Sequence, residues 1–267
     1  MNEVGFSVEY KALKLRYAAL QESVANLIEM YTHLVSTKGP NIEARYMMLV
    51  GQLEYQALQL KMEIARWKRR FALRQMYINR GERPDMVAIE ATLDDEFGEW
   101  CDKMAEQVKK LEGAKLHFDA AKMSESDTNA IRCEYLKAVK KLHPDLNRNL
   151  SEAAKNLWNQ IQKAYAANNW PQLKFLVSLV DEVVSGNAQF AATPDGLDEL
   201  RAACEQLEEK GREVAAEIAE LKKEIPFVYV MLLEDPVLLA RKQNAIKKKI
   251  KELNAAVKKY ERMWNNG

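Results

Sequence analysis

Residues 126–176 read SDTNAIRCEYLKAVKKLHPDLNRNLSEAAKNLWNQIQKAYAANNWPQLKFL. Ile131, Tyr135, Ala138 and Leu142 recur at steps of three and four, with Val139 beside them, a spacing that lays one apolar stripe along a helix. Arg132, Lys137, Lys140 and Lys141 take much of the remaining surface. Downstream, Leu157, Trp158, Ile161, Ala164 and Tyr165 build a second stripe, and Ser151 is placed to cap its first turn. Pro144 lacks an amide hydrogen and disfavours helical geometry at His143, so the first helix is expected to stop at Leu142 or His143. The polar link from Asp145 to Leu150 suits an antiparallel pair whose apolar faces pack together. His143-Pro144-Asp145 then lies at an exposed corner.

With these residues in place, the stretch resembles the J-domain of DnaJ-type co-chaperones. In that family a tyrosine lies eight residues before the histidine and an isoleucine twelve before it, the positions of Tyr135 and Ile131. The second helix carries an aromatic, Ile three on, then Ala-Tyr; Trp158, Ile161, Ala164 and Tyr165 keep that spacing, with Trp in place of the usual Phe. The tripeptide alone arises by chance in about one chain of this size in a hundred, from average residue usage, so the flanking matches carry the resemblance. It implies docking on the ATPase domain of a DnaK-type chaperone through Arg132, Lys137, Lys140 and Lys141. It also implies stimulation of that partner's ATP hydrolysis through His143, Pro144 and Asp145, the aspartate engaging a partner arginine. Ile131, Tyr135, Trp158, Ile161 and Tyr165 are implied as support.

The resemblance covers about fifty of 267 residues. The family's usual first helix has no clear counterpart before Ser126, its basic fourth-helix signature is replaced by Ala-Ala-Asn-Asn-Trp-Pro, and neither a Gly/Phe-rich linker nor Cys-x-x-Cys repeats occur. These departures point to a specialised J-protein rather than a general one.

Only 10 glycines, 48% hydrophobic and 30% charged residues describe an all-α chain. A formal net charge of +1 gives no global field to draw nucleic acid or an anionic membrane. Cys101, Cys133 and Cys204 are far apart and odd in number, so neither a disulfide framework nor a zinc site is expected. Without an apolar run near eighteen residues or a leader at Met1, a soluble, cytoplasmic protein is expected.

Around the central segment run long heptad seams. The first takes Phe6, Tyr10, Leu13, Tyr17, Leu20, Val24, Leu27, Tyr31 and Leu34, and is expected to stop at Gly39-Pro40. The second takes Ile42, Tyr46, Leu49, Leu53, Leu60, Ile64, Trp67, Phe71 and Ile78, folding back on the first as an antiparallel hairpin. After a break at residues 79–85, a third helix runs from Ile89 through Phe97, Trp100 and Met104 to Leu111 and towards Phe118. Residues 185–194 read as a linker, and Thr193-Pro194 and Asp235-Pro236 as the starts of two last helices. The expected domains are 1–122, a J-like segment 123–184, and a C-terminal antiparallel hairpin 185–267.

From Asp195 to Glu224 the charges number ten acidic and five basic, and from Pro236 to Trp264 nine basic and two acidic, so those two helices are expected to pair with each other. Arg66, Lys68, Arg69, Arg70, Arg74 and Arg80, interleaved with Trp67, Phe71 and Tyr77, spell a nucleic-acid patch when read alone. Trp67 and Phe71 fall on the seam, however, which leaves these charges as a solvated face. His33 and His117 read as ordinary helix residues, and no metal-ligand spacing, phosphate loop or nucleophile motif occurs. The leading expectation is therefore a co-chaperone without enzymatic activity or cofactor. Its coiled-coil arms hold a client, dimerise or localise it. The alternative is a coiled-coil scaffold whose J-like segment is inactive, and the third reading is a basic nucleic-acid adaptor.

Overall fold

The computed structural model describes the backbone of residues 3–120, 125–147, 149–184 and 193–266, with side chains for 8–116, 127–147, 149–184, 193 and 195–266. Residues 185–192 of the expected linker, Phe6, His117 and Phe118 therefore lie outside the described side chains. In chain order the elements are α1 (Glu3–His33), a π-helical turn (Leu34–Lys38), α2 (Gly39–Tyr46), a second π-helical turn (Met47–Gly51), α3 (Gln52–Asn79), α4 (Met86–Glu96) and α5 (Gly98–Ala120). There follow α6 (Glu125–Leu142), α7 (Glu152–Ala166), α8 (Trp170–Ser178), α9 (Val180–Val184), α10 (Pro194–Leu221), a 3₁₀ turn (Phe227–Tyr229), α11 (Val230–Glu234) and α12 (Pro236–Asn265). The described residues are all-α, as expected.

Several helix boundaries follow from identifiable caps. Gly81 sits at φ 73° just past α3, a left-handed conformation that glycine adopts without strain. The side chain of Asp85 accepts from the amides of Val87 and Ala88 at 2.9 and 3.1 Å, Ser151 from Ala154 at 3.2 Å, and Thr193 from Gly196 at 3.2 Å. Asp235 accepts from Val237 and Leu238 at 2.8 and 3.1 Å. Each cap satisfies amides that the helix itself leaves unpaired.

Two boundaries differ from expectation. Gly39-Pro40 does not stop the first helix: Gly39 is right-handed (φ −58°, ψ −57°) and its amide donates to the carbonyl of Leu34. The preceding turn has slipped to i−5 bonding, so the wider turn absorbs the missing donor and the ring of Pro40. The expected third helix is two, α4 and α5, divided at Phe97 (φ −100°, ψ 5°) beside Gly98. Phe97 turns there into a cluster with Leu73, Ile89 and Leu93.

The chain forms two compact units, each assembled from separate stretches: Met1–Pro40 with Lys122–Phe227, and Asn41–Ala121 with Val228–Gly267. This replaces the consecutive division at 122/123 and 184/185. In the first unit α1 packs on α10. Arg201 pairs with Glu9, the thiol of Cys204 lies 3.9 Å from the Leu13 carbonyl, and Arg16 pairs with Glu208 at 2.5 Å, so the two helices run parallel. On α1, α6 runs antiparallel, and α7 and α8 close over α6.

In the second unit α3 packs on α12, again in parallel. Gln243 donates to the Leu49 carbonyl at 2.7 Å, Lys242 pairs with Glu54 at 3.2 Å, and Trp264 meets Trp67 and Phe71 at ring separations of 6.0 and 5.2 Å. The long partners run parallel in both units, where the sequence reads as antiparallel hairpins: α1 takes α10 and α3 takes α12, each pair joining an early helix to a late one.

Replacing Ile161, fully buried in the first unit, with Ala should cost about 2–5 kcal/mol, as cavity-forming core substitutions do. A urea midpoint that does not move would contradict its place in that core.

Candidate functional site

The corner is built by the end of α6. The amide of His143 closes the last turn on the Val139 carbonyl at 3.0 Å, and the amides of Leu146 and Asn147 both return to the His143 carbonyl at 3.0 Å. The Asn147 side chain donates to the carbonyls of Lys140 and His143 at 3.0 and 3.3 Å, satisfying acceptors that a helix end leaves open. Leu146 and Leu150 are buried and pin the loop. Pro144 and Asp145 remain exposed, the Asp145 side chain by 39%.

His143 is half-buried with its ring edge-on to Trp158, at 5.3 Å between centroids. Its Nδ1 accepts the amide hydrogen of Asp145 at 3.2 Å, which requires a neutral ring with the proton on Nε2. Burial holds its pKa below the ordinary histidine value; Asp145 pulls it up and Lys210 pushes it down. The histidine thus acts as a brace that orients the loop.

Beneath the corner, Tyr135 stacks on Tyr165 at 4.0 Å and lies 5.8 Å from Trp158. Burial pushes the phenol of Tyr135 up to about 12 and that of Tyr165 higher still. Ile131, Tyr135, Trp158, Ile161 and Tyr165 are all buried, and the three rings among them lie against one another.

The basic residues divide. Lys137, Lys140 and Lys141 are exposed or at the surface edge, and pair with Glu134 at 2.7 Å, with Glu22 of α1 at 2.6 Å, and with Asp181 of α9. Arg132 is turned inward instead: its Nε and one terminal nitrogen donate to Glu29 of α1 at 2.7 and 2.8 Å, and Glu29 is only 5% exposed. A buried carboxylate must be paired, so Arg132 belongs to the packing of α1 on α6 and is withdrawn from the docking set. Half-buried His33, at the end of α1, has a pKa lowered first by burial and then by Arg132.

Several contributors escape a reading of residues 126–176. Gln21 of α1 donates to the Leu146 carbonyl at 3.0 Å, and Lys210 of α10 lies 3.2 Å from the Asp145 carboxylate. Glu22 and Glu29 are seven residues apart beside the first seam, a spacing that does place them on one edge of α1. Lys210 leaves a weaker signal, a lysine within an acidic helix.

Four residues of the other basic cluster, Arg66, Arg69, Arg70 and Arg74, are engaged within the chain. Arg66 pairs with Glu90 and Asp94 at 3.0 and 2.6 Å, Arg69 with Glu96 at 2.5 Å, and Arg70 with Glu90 at 2.6 Å. Arg70 and Arg74 lie over the rings of Trp67 and Trp264 at 4.5 and 5.1 Å. Among the described residues no group of three or more His, Cys, Asp or Glu is placed to hold a metal, all three cysteines are free, and no helix is long and apolar enough to cross a membrane. Comparison of the chain with protein-family models, with curated proteins and with solved structures returns no match.

Two outcomes test this geometry. Because burial lowers the folded-state pKa of His143, the unfolded chain takes up the proton first as pH falls. Stability is then full above about pH 6.5 and is lost as pH drops towards the lowered folded value, at no more than about 1.4 kcal/mol per pH unit for one group. His143→Gln should flatten the melting temperature against pH in that window, with the share of His33 remaining; an unchanged profile would show that His143 is not buried neutral. Glu29→Ala should destabilise by about 1–3 kcal/mol, since it strips a partner from a charge-assisted pair. In Glu29→Ala/Arg132→Ala part of that loss should return, and strict additivity would deny the pairing.

Proposed function

We propose that this protein is a J-domain-type co-chaperone that docks on the ATPase domain of a DnaK-type chaperone and stimulates its ATP hydrolysis. The observation that carries the reading is the corner itself. A helical pair with an aromatic core holds His143 as a brace and presents Pro144 and Asp145 outward, beside a face carrying Lys137, Lys140 and Lys141. Lys137 and Lys141 are one helical turn apart and Lys137 and Lys140 three residues apart, so the lysines share that face. An acidic surface on the chaperone suits it. α1 packs against α6 and is the helix that could stand in for the family's missing first one.

On this reading the chain makes no bond itself and needs no cofactor. Lys140 and Lys141 guide the encounter, and Asp145 engages a cation on the partner to favour its hydrolytic state. The long paired helices hold a client, localise the protein or join it to a second copy, and the setting is the cytoplasm. The alternative is a scaffold with an inactive J-like segment. One observation favours it: Asp145, Lys137, Lys140 and Lys141 all have ion-pair partners within the chain.

The test is single-turnover ATP hydrolysis by a DnaK-type chaperone of the same organism. Wild type should accelerate it, and Asp145→Asn should lose roughly 10-fold or more, the worth of one hydrogen bond to a charged group. Folded wild-type and Lys210→Ala samples that both leave the rate unchanged would select the scaffold.

A further inference from the structure

Each charged group of the proposed docking surface already meets its opposite charge: Lys137 finds it within α6, whereas Asp145, Lys140 and Lys141 find it on other helices. Lys210 Nζ of α10 stands 3.2 Å from Asp145 Oδ2. The same ammonium lies 3.4 Å from Glu213, so its carboxylate neighbours hold it at that edge of α10. Glu22 of α1 occupies Lys140, and one residue away Gln21 grips the carbonyl of Leu146, immediately after the tripeptide. From α9, Asp181 occupies Lys141. A chaperone that recognises this face must offer carboxylates to the lysines and a cation to Asp145. Glu22, Asp181 and Lys210 offer that pattern from within the chain.

We infer that α1 and α10 hold the tripeptide in a self-occupied state, with Lys210 as the internal stand-in for the partner's cation, so that docking requires exchange of Lys210 for that cation. This rests on the co-chaperone reading given above and adds its regulation. Arg16, Glu208, Glu9 and Arg201 tie α10 to α1 along the same edge. Whatever loosens that pair of helices therefore frees Asp145, and a client bound along them is the natural trigger.

Magnitudes set the strength of this control. The groups are at least one-third exposed, and an exposed ion pair changes an equilibrium by up to about fivefold. Lys210 is then a threshold that a charged partner overcomes at higher concentration. Salt screens such pairs, so the threshold falls as ionic strength rises.

The experiment measures the concentration of the full chain giving half-maximal stimulation of single-turnover ATP hydrolysis. It compares wild type, Lys210→Ala, Lys210→Glu, Glu22→Gln/Lys210→Ala and Asp145→Asn, each checked for folding by circular dichroism. Lys210→Ala should lower that concentration about two- to fivefold with the same plateau, Glu22→Gln/Lys210→Ala should lower it further, and the gap from wild type should narrow in high salt. A wild type that is silent while Lys210→Ala stimulates would also support the inference, as a tighter hold. If wild type stimulates, Asp145→Asn does not, and neither Lys210 variant shifts the concentration, the self-occupied state is wrong and the co-chaperone reading stands. If no folded variant stimulates, the co-chaperone reading itself fails and takes this inference with it.

Discussion

The first unit depends on the contact between Glu29 and Arg132. A carboxylate buried to this degree has little water to solvate it, and only a fixed hydrogen-bonded cation makes its position tolerable. That requirement sets the register of α1 against α6. Once Glu29 is opposite Arg132, the antiparallel course of the two helices brings Glu22, two turns earlier, to Lys140, and Gln21 to the backbone of Leu146. This partly buried ion pair, together with the apolar stripe of α6 beside it, fixes which side chains surround the tripeptide. The stacked rings of Tyr135 and Tyr165 set the other wall of the same core.

Local features of this architecture were legible in the sequence to a large degree. Apolar spacing identified the buried stripes of α6 and α7 residue by residue, and the helix starts at Ser151, Thr193 and Asp235 follow from side chains that accept backbone amides. Partner choice was not legible. A heptad seam states which face of a helix is buried and is silent on what covers it, so the seam of α1 fits a following helix as well as the distant α10. The charge asymmetry between α10 and α12 misled for the same reason: exposed charges are worth little beside an apolar stripe such as Trp67, Phe71, Tyr260 and Trp264. At Gly39-Pro40 a turn of altered hydrogen bonding carried the helix past a signal that ordinarily ends one.

The corner shows the same division. His143, Pro144, Asp145 and the three exposed lysines are neighbours in sequence, and spacing alone gathers them. Their partners Glu22, Asp181 and Lys210 lie tens of residues away and enter only through packing. Arg132 illustrates the limit best: one helical stripe away from the lysines it looks like another docking cation, and only the burial of Glu29 assigns it to the core. What distinguishes a surface offered to a partner from one satisfied within the chain is therefore long-range, and it bears directly on the functional reading proposed for this corner.

The most direct measurement is amide hydrogen exchange of the full chain with and without a DnaK-type chaperone in its ATP-bound state. Added protection is expected over residues 134–147, at the end of α6 and the turn that follows, with no change over α12. Protection confined to α3 and α12, or none over residues 134–147 while the proteins bind, would contradict that expectation.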